Sequence, residues 1–127
     1  MSYVDLLFAH RPDIEVPLEE TVRAFSWVVD QGMATYWGTS EWPAEMISAA
    51  IQYARQHGLH EPVMEQPQYN MLARERFEAE YSTLYERYNY GTTVWSPLAQ
   101  GVLTGRFNDG VKADGTRFTS EEFAYKD

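Results

Sequence analysis

Residues 34–58 read ATYWGTSEWPAEMISAAIQYARQHG, and the apolar period of this stretch changes once. Residues 34–39 are a short run rich in aromatic and small apolar side chains, the composition of a buried strand. Ser40, Glu41, Trp42 and Pro43 then lead into a segment whose apolar positions Met46, Ile47, Ala50, Ile51 and Ala54 share one helical face, with Gly58 as its stop signal. A strand that ends on a polar side chain and passes into a helix is the unit from which a β/α barrel builds its active face.

The same unit recurs on both sides. Residues 3–9 read as a buried strand closed by Arg11-Pro12-Asp13. Residues 17–31 read as a helix with Leu18, Val22, Phe25 and Val29 on one face, Glu19 and Glu20 in its first turn and Gly32 just past its end. Residues 62–66 read as a very short third strand, followed by a loop through Tyr69 and Met71. A helix over about 74–88 comes next, buried through Phe77, Tyr81, Leu84 and Tyr88, and residues 91–95 read as the fourth strand. Units of roughly 30 residues without hairpin turn pairs imply crossover connections and a parallel sheet. The expected fold class is therefore α/β: about four βα units with parallel strands, a partial (β/α)8 TIM barrel. All of residues 1–127 read as one partial domain, in which 108–127 form a glycine-containing loop and the capped start of a helix at Thr119-Ser120-Glu121-Glu122.

Bulk properties narrow the function. A complete eight-stranded barrel needs about 250 residues, and this chain has 127. Its 19 acidic and 10 basic residues give a net charge of −9, with the basic residues scattered, so nucleic acid is not an expected partner. The lack of cysteine removes disulfides, thiolate metal sites and thiol catalysis. His57 and His60 have no companion ligands at a useful spacing, so no metal is expected. With no leader pattern and no apolar run of membrane-spanning length, the expectation is a cytoplasmic chain that is not inserted in a membrane.

Chemistry concentrates at the strand exits. His10, in Phe8-Ala9-His10-Arg11-Pro12, has an imidazole able to donate a hydrogen bond to a carbonyl and to stabilise the charge developing on it; a loop histidine bonded to backbone is the plainer alternative. Trp95 offers an aromatic plane on which a nicotinamide can stack. Ser96, Pro97, Leu98, Ala99 and Gly101 follow with small residues and backbone amides that let a pyrophosphate approach, although a core tryptophan with an ordinary loop fits too. Ser40 and Gln66 supply the hydroxyl and amide that match a carboxamide, or else a helix cap and a strand-end amide. Arg106 and Arg117 have the guanidinium geometry for a phosphate, or are solvated surface cations. No GxGxxG fingerprint occurs, so a Rossmann reading has no support.

Taken in order, Phe8-Ala9-His10-Arg11-Pro12, Trp37-Gly38-Thr39-Ser40, Glu65-Gln66 and Val94-Trp95-Ser96-Pro97-Leu98 resemble the aldo-keto reductases, and most closely the branch that includes the β-subunits of voltage-gated potassium channels. The resemblance covers nearly the whole chain and corresponds to about the fourth to the seventh barrel strand. It implies NADP as cofactor and hydride transfer between NADPH and a small carbonyl substrate, an aldehyde or ketone. It places His10 as the histidine of the family's Asp-Tyr-Lys-His catalytic group; some channel β-subunits carry Asn there. It places Ser40 and Gln66 on the carboxamide, the Trp95 to Gly101 string on an extended dinucleotide, and Arg106 and Arg117 in the loop that favours NADP over NAD. Glu41 stands where relatives often carry Asn or Arg, and no cofactor contact is carried over to it. The Asp, Tyr and Lys of the catalytic group belong to strands outside this sequence, so a fragment inactive alone is expected. It would expose an unpaired sheet that self-associates or takes up the missing half-barrel. Two alternatives stand beside this: a nucleotide-binding regulatory protein associated with a channel, and a scaffold remnant without catalysis.

Overall fold

A computed structural model describes residues 1–110, and within them four strands form one sheet of order β1-β2-β3-β4 with every pair parallel. The elements run β1 (Val4–Ala9), α1 (Leu18–Asp30), β2 (Ala34–Thr39), α2 (Ala44–His57), β3 (Met64–Glu65), a π-helical turn (Arg76–Glu80), α3 (Ser82–Tyr88), β4 (Gly91–Thr92) and a 3₁₀ segment (Ala99–Thr104). Each strand is followed by helix, and sequential strands are neighbours, as in an arc of a β/α barrel. The helix start expected at 119–122 lies outside the described residues.

The two long helices end as their glycines predict. Gly32 and Gly58 adopt left-handed backbone, with φ of 68° and 65°. After α1 the Met33 N–H donates to Val28 O at 3.1 Å and the Gly32 N–H to Val29 O at 2.9 Å; after α2 the Leu59 N–H donates to Ala54 O at 2.9 Å. These reverse turns satisfy the last helical carbonyls and send the chain back into β2 and towards β3.

The core lies between the sheet and its single layer of helices. Val22, Ile47, Ala50, Ile51, Ala54 and Leu84 are fully buried against Trp37, Trp42 and Tyr81. Each large aliphatic side chain among them contributes about 1.5–3 kcal/mol of transfer free energy. Trp37 stacks on Phe25 with centroids 5.0 Å apart, and its indole N–H donates to His60 O at 2.8 Å. The register pairs Leu6 with Tyr36 and Phe8 with Gly38. Leu6 and Tyr36, on the sheet face away from the helices, remain 41% and 54% exposed. Gly38 cannot carry a side chain: a Cβ there would lie 2.3 Å from Met64 O.

Three elements differ in detail from the sequence expectation. The helix expected over 74–88 is broken at Tyr81, whose N–H bonds Arg76 O in the wide π pattern. The buried Tyr81 hydroxyl donates to Trp42 O at 2.7 Å, and the extra residue in the turn rotates the chain to allow it. Of the expected strands at 62–66 and 91–95, only Met64–Glu65 and Gly91–Thr92 pair regularly. Even so, Gly91, Thr93 and Trp95 donate in turn to the carbonyls of Val63, Glu65 and Pro67 at 2.8, 3.0 and 3.1 Å. The parallel ladder next requires an N–H from residue 67, and proline has none. The fourth strand thus tracks the third as far as Trp95, whose carbonyl accepts from the Tyr69 N–H at 3.5 Å, with the bond from residue 67 missing.

Candidate functional site

Parallel pairing puts all four strand exits on one edge of the sheet, and the expected site residues emerge there in chain order. Ser40 is 3% exposed; its N–H donates to Ala9 O at 3.1 Å and its hydroxyl to Gln66 O at 2.9 Å. It does not cap α2, whose N-cap is Pro43 without a side-chain bond. Gln66 donates its N–H to Thr39 O at 2.8 Å and its side-chain amide to Thr93 Oγ1 at 2.9 Å, and among the described residues its amide oxygen has no hydrogen-bond partner. Ser40 and Gln66 are therefore held together, as a two-point contact requires.

His10 is exposed, and among the described residues its imidazole has no hydrogen-bond partner. Its placement comes through Arg11, which the sequence reading did not single out. One guanidinium nitrogen of Arg11 donates to His10 O at 2.6 Å, to Ser40 O at 3.2 Å and to Ser40 Oγ at 3.0 Å. The first two strand exits are locked to each other by this cation.

Trp95 is not a core residue; it is 36% exposed at the edge. Its carbonyl accepts from the Tyr69 N–H at 3.5 Å, and Gln68 bridges to it in parallel register. Beyond it the backbone is left-handed at Ser96, Ala99, Gln100 and Gly101, with φ of 51°, 47°, 57° and 99°. Asn70 braces this loop by donating its side-chain amide to Ser96 O at 2.9 Å, while the Ala99 N–H donates to the same carbonyl at 3.0 Å. Pro97 follows Ser96 directly, and Leu98 is 53% exposed. Arg106 joins the loop: its Cδ would lie 3.4 Å from a Cβ built on Gly101, and its guanidinium sits 5.3 Å from the Phe107 ring centroid. Arg117 lies outside the described residues.

Two glutamates were not expected at the site. Glu65 is fully buried and accepts from the Thr39 hydroxyl, from the Glu41 N–H and from the Trp42 N–H. Burial pushes its carboxyl up to about 7, against the pull of those hydrogen bonds. The Thr39 oxygen also lies 3.2 Å from the Tyr90 hydroxyl. Glu41 has left-handed backbone, with φ of 56°. Its carboxylate accepts from the Trp95 indole N–H at 2.9 Å, from the Gln68 N–H at 2.5 Å and from Arg76 at 2.6 Å. Composition offered no sign of this, since a lone Glu at a strand exit reads as a solvated charge.

Tyr69, Tyr81, Tyr85 and Tyr90 are all shifted away from acidity. Burial raises Tyr81 and Tyr90 above the usual range and pushes Tyr85 up to about 12, while the bond to Glu78 raises Tyr69. Among the described residues no group of three or more His, Asp or Glu could hold a metal ion, and no helix is long and apolar enough to cross a membrane.

This arrangement has counterparts among known proteins. A probable voltage-gated potassium channel subunit beta from Oryza sativa subsp. japonica is 50% identical over 123 residues, as is its counterpart from Arabidopsis thaliana; both matches cover 97% of this chain and 38% of the relative. A putative voltage-gated potassium channel subunit beta from Schizosaccharomyces pombe is 50% identical over 120 residues, covering 94% of this chain and 35% of that protein. The chain thus spans less than two fifths of the length of these relatives. The Aldo/keto reductase family model matches residues 1–122, so the parallel βα units are a partial TIM barrel and the chain belongs to the aldo/keto reductase family.

Proposed function

We propose that this chain carries the nicotinamide side of an NADP-dependent reductase site, in which hydride passes between NADPH and an aldehyde or ketone. Aldo/keto reductases generally use NAD(P)H. The observation that carries the proposal is the convergence of Ser40, Gln66 and the half-exposed Trp95 on one edge of the parallel sheet. The chain's groups fit a dinucleotide. The free oxygen of the Gln66 amide and the Ser40 hydroxyl match a carboxamide, the latter by giving up its bond from Arg11. Left-handed backbone at Ser96, Ala99, Gln100 and Gly101 gives the loop turns of the kind that take up anions, and Arg106 beside it supplies a positive charge for the 2′-phosphate. When bound, the reduced nicotinamide supplies the hydride. His10, with its imidazole free, donates a hydrogen bond to the substrate carbonyl oxygen and stabilises the charge that develops there.

Among the described residues the tyrosines with shifted pKa values, Tyr69, Tyr81, Tyr85 and Tyr90, are all shifted upward, so none of these four supplies the proton for that oxygen. Alone, the chain binds cofactor without turning over substrate. The expected setting is the cytoplasm. A second reading is favoured by the names of the three relatives: a regulatory nucleotide-binding protein that associates with a potassium channel. Its mark is coprecipitation with a channel that depends on bound nucleotide. A scaffold remnant, by contrast, folds without responding to nucleotide.

The two roles separate by mutation. Trp95→Ala removes the stacking plane and should weaken NADPH binding about tenfold or more, given the roughly 1–3 kcal/mol that such stacking contributes. His10→Ala should leave affinity nearly unchanged and reduce only turnover in a completed enzyme. Equal losses of affinity in a fluorescence titration would refute the assignment.

A further inference from the structure

Trp95 has a single hydrogen-bond donor, its indole N–H, and the partner of that donor decides how the ring stands. Glu41 is that partner, and it is held unusually firmly. Its N–H is fixed by the buried Glu65 and its carbonyl accepts from Arg76 at 3.4 Å. One carboxylate oxygen takes the Gln68 N–H as well as the indole, and the other takes the Arg76 guanidinium. The carboxylate is mostly buried, at 14% exposure, while the indole it grips is 36% exposed. A fixed post thus holds the edge of a ring that is otherwise open to solvent. Arg76 is the counter-ion of the post: its guanidinium lies 2.6 Å from the second carboxylate oxygen and offsets the cost of taking that carboxylate out of water.

We propose that Glu41 is a positioning residue: it orients the Trp95 indole for stacking on the nicotinamide, with Arg76 as its counter-ion. The inference rests on the nicotinamide reading of the site and deepens it. Without Glu41 the indole keeps its apolar face but gains alternative rotamers, so binding a planar ligand must first select one. Water readily satisfies the exposed indole N–H, whereas the Gln68 N–H and the Arg76 guanidinium lose their acceptor, so removing Glu41 also costs the fold.

The test is a double-mutant cycle on NADPH affinity of the 127-residue chain, read by quenching of tryptophan emission. Glu41→Leu should weaken binding about five- to tenfold, the size expected for losing a charge-assisted hydrogen bond. Glu41→Gln keeps an acceptor for the indole and should stay within about threefold of the unmodified chain, because neutral acceptors are roughly half as strong. In a Trp95→Phe background, which has no N–H, Glu41→Leu should change affinity by less than about twofold, as coupled residues are non-additive. The same loss in both backgrounds would overturn the positioning role. Trp95→Phe alone leaves Glu41 intact and covers the case in which Glu41→Leu does not fold: it should bind NADPH more weakly than the unmodified chain, and equal binding would overturn the proposal. Failure of the folded, unmodified chain to bind NADPH would sink the nicotinamide reading itself, whereas binding with an additive cycle would sink only the role of Glu41.

Discussion

Glu65 sits in a place where a charged carboxylate costs stability. Its carboxyl stands at about 7 in the fold against an ordinary value of 4.5, chiefly because it is buried. A raised folded pKa means that the native state holds a proton the unfolded chain has already lost, so stability falls as pH rises from about 4.5 to about 7 and the loss is complete above that window. By linkage the difference is about 3 kcal/mol. Glu65→Gln can still accept from the Glu41 N–H and can donate to Thr39, so it should remove most of this pH dependence. Urea midpoints measured between pH 4.5 and 8 would check this: the unmodified chain should lose stability across the window and the variant should not, and parallel curves would contradict the account. The same residue shows what one sequence leaves illegible. His10, Ser40, Gln66 and Trp95 could be singled out because they end apolar runs. Glu41 and Glu65 could not, because their roles depend on which donors the fold brings within reach, and those come from residues 39, 42, 68, 76 and 95.

At the scale of elements, α1 and α2 were legible because a 3.6-residue apolar period and a glycine stop point to the same boundaries. The region after β3 was harder to read. Residues 74–88 carry a helical apolar pattern throughout, but a straight helix does not bring the Tyr81 hydroxyl to Trp42 O, and one wide turn does. That buried bond ties the third βα unit to the entrance of α2, next to Glu41. Tyr81→Phe keeps the ring and strands the Trp42 carbonyl, so it should cost about 1–2 kcal/mol. Chemical denaturation should show that loss; an unchanged midpoint would mean that the π turn is set by local sequence alone. The short third and fourth strands were foreseen in position but not in pairing. Pro62 and Pro67 lack the donors that a full ladder requires, and the sequence pattern does not reveal which strand will need them.

For the whole molecule, the described sheet is covered by helices on one face only. The other face presents Leu6 and Tyr36, and β1 and β4 form its two edges. Half-covered parallel sheets with open edges associate. We therefore expect sedimentation velocity to show concentration-dependent dimers or larger species, and a strictly monomeric chain would argue that this face is closed in some other way. The barrel class was legible from the repeated strand-helix unit, while the side of the sheet left bare depends on the three-dimensional register of Leu6 with Tyr36. The central claim, that the strand-exit edge is a nicotinamide dinucleotide site, is tested most directly by titrating the folded chain with NADPH. Quenching of tryptophan emission and energy transfer to the nicotinamide would report binding. The account predicts a saturable signal that is weaker with NADH than with NADPH and that in Trp95→Ala needs about tenfold more NADPH or beyond. No response from a chain with intact far-ultraviolet dichroism would contradict it.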